Sequence, residues 1–173
     1  NYGADKSFLS VAKNQGTVML SGAGLLVARD LARTQIVPDF QWKSVEFTDG
    51  PNGDEGGVGI LRSGFAPDQS MLLMKYTAHG QTHGHYDKLG IVYSDQGKEI
   101  LQDYGAARFI NVEPKNGGRY LPETSPRARQ TIAHNTVTVD QQSHFQGDLL
   151  IAEKHHADRH FFSVADSNLQ VMS

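Results

Sequence analysis

The chain contains no cysteine in its 173 residues. That removes disulfides, thiolate metal sites and a cysteine nucleophile. It leaves the compartment open, because a cysteine-free chain is stable in either redox environment. No apolar run approaches the roughly 18 residues a membrane helix needs, so no membrane partner is expected. The longest candidates, such as Met71-Leu72-Leu73-Met74, have the length of a strand. Charge of one sign is also lacking: 16 basic against 19 acidic residues give a formal net of −3. Without a basic stripe, nucleic acid is not an expected partner. There is no internal repeat, no low-complexity tract and no signal-peptide pattern. The first residue is Asn1 rather than Met, and Leu169 to Ser173 reads as a strand in progress. The sequence is therefore expected to be a piece of a longer protein.

Residues 1–52 read differently from the rest. Thr17 to Leu20 is a short apolar run, and Leu25 to Arg33 is rich in helix formers, which permits a short helix or a strand. Pro38 closes that segment. Asp49 to Gly57 is a loop by composition and a plausible boundary. From Val58 on the pattern is β. Strand-length runs occur at Gly59–Arg62, Met71–Thr77, Leu89–Ser94, Glu99–Asp103, Thr131–Asp140 and Leu149–Lys154. Asp95-Gln96-Gly97-Lys98 separates two of them as a hairpin turn would. Thr136 to Val139 alternates polar and apolar, as a half-buried strand does. Short strands with turn residues between them predict an antiparallel β-sandwich over 53–173. Asn111 to Arg129 breaks the rhythm with three prolines and many charges, and a long ordered loop in a compact domain is more often functional than idle.

Histidine is plentiful, with eight residues. His83 and His85 are two apart, so on a strand both imidazoles face one side. Asp103 ends the strand after the Asp95–Lys98 turn, and His134 begins the next long run. Two histidines and a carboxylate are a common zinc ligand set, with water or substrate completing it. Spacing alone does not choose between His83 and His85. The plainer alternative is unrelated polar residues on sheet edges, since H-x-H is short and unspecific. His155-His156 with Asp158 and His160 looks metal-like, but adjacent histidines on a strand point to opposite faces, which favours a solvated patch. Gly22-Ala23-Gly24 is too short for a dinucleotide fingerprint. His79 and His144 read as loop or strand-end residues. Phe40 and Trp42 read as packing anchors of the first segment, with a sugar-binding role as the alternative.

Four motifs in order carry a family resemblance: Thr82-His83-Gly84-His85-Tyr86-Asp87-Lys88-Leu89-Gly90, Leu101-Gln102-Asp103-Tyr104-Gly105, Gly118-Arg119-Tyr120-Leu121-Pro122-Glu123, and Gln130-Thr131-Ile132-Ala133-His134-Asn135-Thr136-Val137. The chain resembles the heparinase II/III-like lyases, most closely the alginate and oligoalginate lyases of polysaccharide lyase family seventeen. The resemblance is specific over residues 82–140 and loose in the first fifty residues and after Phe145. It implies a periplasmic or secreted enzyme with an N-terminal α/α toroid, a C-terminal antiparallel β-sandwich and a cleft between them. Residues 1–52 would then be the end of the toroid and a linker, and 53–173 the sandwich, expected to be cut short at its C-terminus.

The implied substrate is a uronic-acid oligo- or polysaccharide, alginate before heparin or heparan. A non-catalytic carbohydrate-binding sandwich is the alternative outside enzymes. Elimination across a uronate removes the C5 proton and expels the C4 oxygen. It needs a cation or donor at the carboxylate, a base at C5 and an acid for the leaving oxygen. The resemblance places a structural zinc on His85, Asp103 and His134 and turns His83 to the substrate. It makes Tyr120 the base at C5 and Arg108 a substrate contact, suited by its fork to a carboxylate. The family's Asn-His pair and tyrosine acid match no segment here.

Overall fold

The structure, a computed structural model, describes residues 6–78, 84–103, 105, 121–122, 124–166 and 169–172. The chain divides into two compact units, Asn1–Trp42 and Lys43–Ser173.

In the first unit, α1 (Phe8–Asn14) and α2 (Ala23–Arg33) resolve the helix-or-strand alternative for residues 25–33 in favour of helix. Leu9 is fully buried. Ser10 Oγ donates to Ser7 O at 2.8 Å and accepts from Phe40 N at 2.9 Å, which ties the end of the segment back to α1. Lys6 and Asp30 form an ion pair at 2.8 Å. Phe40 and Trp42 meet edge to face at 5.0 Å, an arrangement that favours packing over a solvent-facing sugar platform.

The second unit is an antiparallel meander of five strands: β1 (Val45–Thr48), β2 (Gly57–Arg62), β3 (Met71–Lys75), β4 (Gly90–Asp95) and β5 (Lys98–Leu101). The register aligns Ile60 with Leu73 and Leu73 with Val92 across the three central strands. Along β2 every second residue is buried, as a sheet with one covered face requires. The β4–β5 connection is the anticipated hairpin. Asp95 pairs with Lys98, and Gln96 and Gly97 sit at φ 48° and 72°. Two consecutive left-handed residues make the tight turn whose twist matches the flanking strands. A second, two-stranded antiparallel sheet comprises β6 (Phe162–Asp166) and β7 (Leu169–Met172).

Three sequence expectations differ from the structure. The loop Asp49–Gly57 lies inside the second unit, because β1 precedes it and pairs with β2; Asp49 N donates to Gly56 O at 2.9 Å and Glu55 N to Asp49 O at 3.1 Å. The sheet thus begins before residue 53. Leu149–Lys154 is not a strand: Leu149–Ala152 form a helical turn, α3. Asp148 caps it, accepting from Leu150 N at 2.9 Å and Ile151 N at 3.1 Å, and a capping carboxylate before Leu, Ala and Glu favours helix over strand.

Thr131–Asp140 is not a strand either. Thr131–Ala133 make a 3₁₀ turn, and Val139 joins only an isolated bridge to Gln142. Val137 and Val139 are exposed, so the alternation at 136–139 has no covered face among the described residues. The break falls at Thr131, which is fully buried. Its hydroxyl donates to Tyr86 O at 2.5 Å and accepts from His144 N at 2.8 Å, which holds the chain in a turn. Within the loop singled out at Asn111 to Arg129, Thr124–Ala128 form a π-helical turn.

Candidate metal centre

The approach to β4 sets one side of the site. Tyr86 is pinned three ways: its N donates to Arg129 O at 2.8 Å, its O accepts from Thr131, and its hydroxyl donates to Gly147 O at 2.5 Å. In extended backbone the neighbours of a residue face the opposite side. His85 and Asp87 accordingly line one cavity together with Lys75, Asp103 and Gly105. A turn follows, with Gly90 N donating to Asp87 O at 2.9 Å. A Cβ on Gly90 would lie 2.8 Å from that same carbonyl, so only glycine lets the chain return so closely.

Asp103 and His134 come from elements far apart in sequence. Asn135 joins them. Its side-chain amide donates to Gln102 O at 2.9 Å and Ile91 O at 3.3 Å, and its own carbonyl accepts from Ile91 N at 3.0 Å. This clamp holds Gln102 against Asn135 and so sets the next residue, Asp103, beside the one before Asn135, His134. His134 Nδ1 then donates to Asp103 Oδ2 at 2.9 Å. Gly105 N adds a second bond to that carboxylate at 2.8 Å. Burial pushes the Asp103 pKa up, but the His134 ring and the Gly105 amide outweigh it, and the group ends below its ordinary 3.8.

Asp87, Asp103 and His134 each offer a donor atom, and these atoms lie within 4.8 Å of one another. The His85 ring sits 5.1 Å from the His134 ring, centre to centre. Burial, then the neighbouring His134, push the His85 imidazole below its ordinary 6.5, which keeps it neutral and available as a ligand. The His134 side chain is 1% exposed, and its Nε2 has no hydrogen-bond partner among the described residues. That nitrogen lies on the side of the ring away from Nδ1, which bonds the Asp103 carboxylate, so Nδ1 is the atom that a metal shared with Asp103 would take. Asp87, Asp103 and the two imidazoles, with His85, Asp87 and Asp103 lining a cavity of about 310 Å³, form a donor set that could hold a divalent metal ion.

Of the residues singled out from the sequence, Asp103 and His134 meet directly and His85 adjoins them. His83, Arg108 and Tyr120 lie outside the described residues, as does His79. Asp87 was missed, although its signal was present: it continues the every-second-residue alternation of His83 and His85. Lys75, which pairs with Asp87, was also missed, because only strand register brings it there. Asn135 lay inside a quoted motif without an assigned role. The His155–His160 segment assembles no metal group among the described residues: His155 Nδ1 bonds Ile151 O, and His156 lies 3.4 Å from Asp158. His144 is structural, accepting from Lys88 N through Nδ1 and donating to Val137 O through Nε2.

Comparison with known proteins supplies the family. Residues 47–171 match the family described as heparinase II/III-like, C-terminal. An exo-oligoalginate lyase of Saccharophagus degradans is 43% identical over 95% of this chain. An alginate lyase of Stenotrophomonas maltophilia is 46% identical over 98% of it. The chain spans only 22% of the length of each. Among solved structures, a heparinase III superposes over 84% of this chain and 19% of its own (TM-score 0.54, 18% identity). The heparan sulfate lyase HepC of Pedobacter heparinus superposes over 98% of this chain and 23% of its own (TM-score 0.51, 19% identity). These structural likenesses speak for the fold. With the family match running from β1 to β7 and enclosing Asp87, Asp103 and His134, this chain belongs to the heparinase II/III-like C-terminal domain family.

Proposed function

We propose that this chain is the sandwich part of a larger uronate lyase that cleaves alginate or oligoalginate by β-elimination. One observation carries the reading: identity of 43–46% over nearly the whole chain with proteins named exo-oligoalginate lyase and alginate lyase. In this reading the rest of the enzyme includes an α/α toroid ending within residues 1–52, the cleft lies between toroid and sandwich, and the protein is periplasmic or secreted.

The chemistry is divided among the chain's own residues. Arg108 grips the substrate carboxylate, whose neutralisation acidifies the C5 proton. Tyr120 accepts that proton, His83 faces the substrate, and the acid for the C4 oxygen comes from the toroid. His85, Asp103 and His134 hold zinc, which suits imidazole and carboxylate donors. Bound there, zinc ties the approach to β4, the end of β5 and the His134 turn together, and so fixes the backbone beside His83.

The test is ultraviolet absorbance of unsaturated uronate released from oligoalginate by the full-length natural protein, with Tyr120→Phe as the comparison. Wild type should produce the signal and the variant should lose most turnover. No signal from any uronate polymer, with ligand affinity kept in both forms, would establish a binding module instead. A heparan-type substrate is the second reading, since the matching family is described as heparinase II/III-like. Sulfated chains call for a strongly basic cleft, and the near-neutral charge argues for alginate.

A further inference from the structure

We propose that Thr136–Val139 is a strand whose outer edge takes a further β-strand, supplied by the part of the natural polypeptide that lies outside this chain. The inference rests on the reading that the chain is part of a larger protein; lyase activity does not enter it. Thr136-Val137-Thr138-Val139 alternates as a half-buried strand does. Half of the pairing such a strand needs is present. Asp140 and Gln141 sit at φ 52° and 58°, two left-handed residues that turn the chain back, and Gln142 N donates to Val139 O at 3.0 Å. The bridge Val139–Gln142 puts Val137 opposite His144. His144 N is held by Thr131 at 2.8 Å, so its ring takes over: Nε2 donates to Val137 O at 2.7 Å. The backbones of Val137 and Val139 thus bond toward the return. In an antiparallel ladder the residue between them turns its N–H and C=O to the other edge. That residue is Thr138, and neither group has a partner among the described residues.

The side chains call for cover as well. Val137 and Val139 lie on one side of the segment and are 66% and 67% exposed. With Leu89 and Phe145 they line an open groove of about 560 Å³. A free N–H and C=O beside a row of apolar side chains is the surface that a β-strand recognises: its backbone answers the edge, and its alternate side chains fill the groove. Exposed edges are ordinarily blunted by lysine or proline, and Thr136–Val139 carries neither. The edge is also built before anything docks. The Thr136 hydroxyl donates to Lys88 O, the Asn135 amide bonds Gln102 O and Ile91 O, and both His144 nitrogens are spent on backbone groups. The length of the relatives names the occupant. The two alginate lyases match 95% and 98% of this chain, yet it spans only 22% of each. Most of such a polypeptide lies outside the chain and is tethered to it, at an effective concentration that a free partner rarely reaches.

The test is hydrogen exchange in the full-length natural protein, read at Thr138 from overlapping peptides by mass spectrometry, together with thiol labelling of Val139→Cys. Lys98→Cys, on the exposed β4–β5 turn, is the freely reacting control. The Thr138 amide should exchange about a hundredfold more slowly than an unstructured amide, and the thiol at 139 should react about a hundredfold more slowly than the one at 98. The exchange arm uses wild type, so no variant has to fold for the proposal to fail. Exchange at the unstructured rate, or labelling at 139 as fast as at 98, overturns it. Protection that disappears on dilution overturns it in favour of a second copy of the protein. Protection that needs added oligoalginate overturns it in favour of a sugar groove. Both arms are independent of turnover, so failure of the lyase reading and failure of this proposal are told apart.

Discussion

Thr131→Val isolates one hydroxyl that holds three segments together. Thr131 is fully buried, and its Oγ1 donates to Tyr86 O at 2.5 Å and accepts from His144 N at 2.8 Å. Valine has nearly the same shape, so no cavity opens, and the loss falls on the two stranded backbone groups. A buried polar group without a partner costs about 1–3 kcal/mol. The bond to Tyr86 is buried and should lie well inside that range, while the one to His144 is part-buried, so water recovers some of it. The expected destabilisation is about 2–4 kcal/mol, a large share of the roughly 5–15 kcal/mol that holds a folded protein together. Thr131→Ser keeps the hydroxyl and removes one methyl group, for about 1 kcal/mol. Urea unfolding followed by circular dichroism should rank wild type above serine and serine above valine. Binding at the proposed metal centre should weaken in the valine variant, because Tyr86 lies between His85 and Asp87. A valine variant within about 1 kcal/mol of wild type, or one no worse than serine, would refute the reasoning.

Two further outcomes follow from other parts of the sheet and site. Asp103 has a pKa held below 3.8, so its contribution to metal-free stability is full above that value and fades as pH falls through the lower folded-state pKa. Acid unfolding of the metal-free protein should shift toward higher stability at low pH, relative to neutral pH, in Asp103→Asn; parallel curves for the two forms would contradict the assignment. Gly97 sits at φ 72°, and a Cβ added there would meet nothing within 4 Å, so Gly97→Ala should cost about 1–2 kcal/mol through backbone strain alone. Gly97→Asn should recover part of it, and equal melting temperatures for alanine and glycine would exclude the left-handed turn.

The five-stranded sheet was largely open to reading because its signals are local. β2, β3 and β4 are short, mostly apolar runs bounded by turn residues, and Gln96-Gly97 specifies the turn into β5 through backbone sterics. β1 escaped notice because its partner lies across a glycine-rich loop that looks like a linker by composition. The Thr131 turn and α3 went the other way. Their apolar patterns suit a strand, but a hydroxyl and a capping carboxylate supply backbone partners that periodicity does not register.

The sequence by itself determined the antiparallel character, the family, and the two residues, Asp103 and His134, that meet at 2.9 Å; residue chemistry and motif order are local properties of a chain. Only the tertiary structure decided which neighbours complete the site. Lys75 and Asp87 are 12 residues apart and become partners because β3 and β4 run side by side in one register. Asn135 can clamp β4 to the end of β5 only once those strands are paired. The His134 nitrogen left without a partner among the described residues exists only in the folded chain, since burial is what takes water away from it.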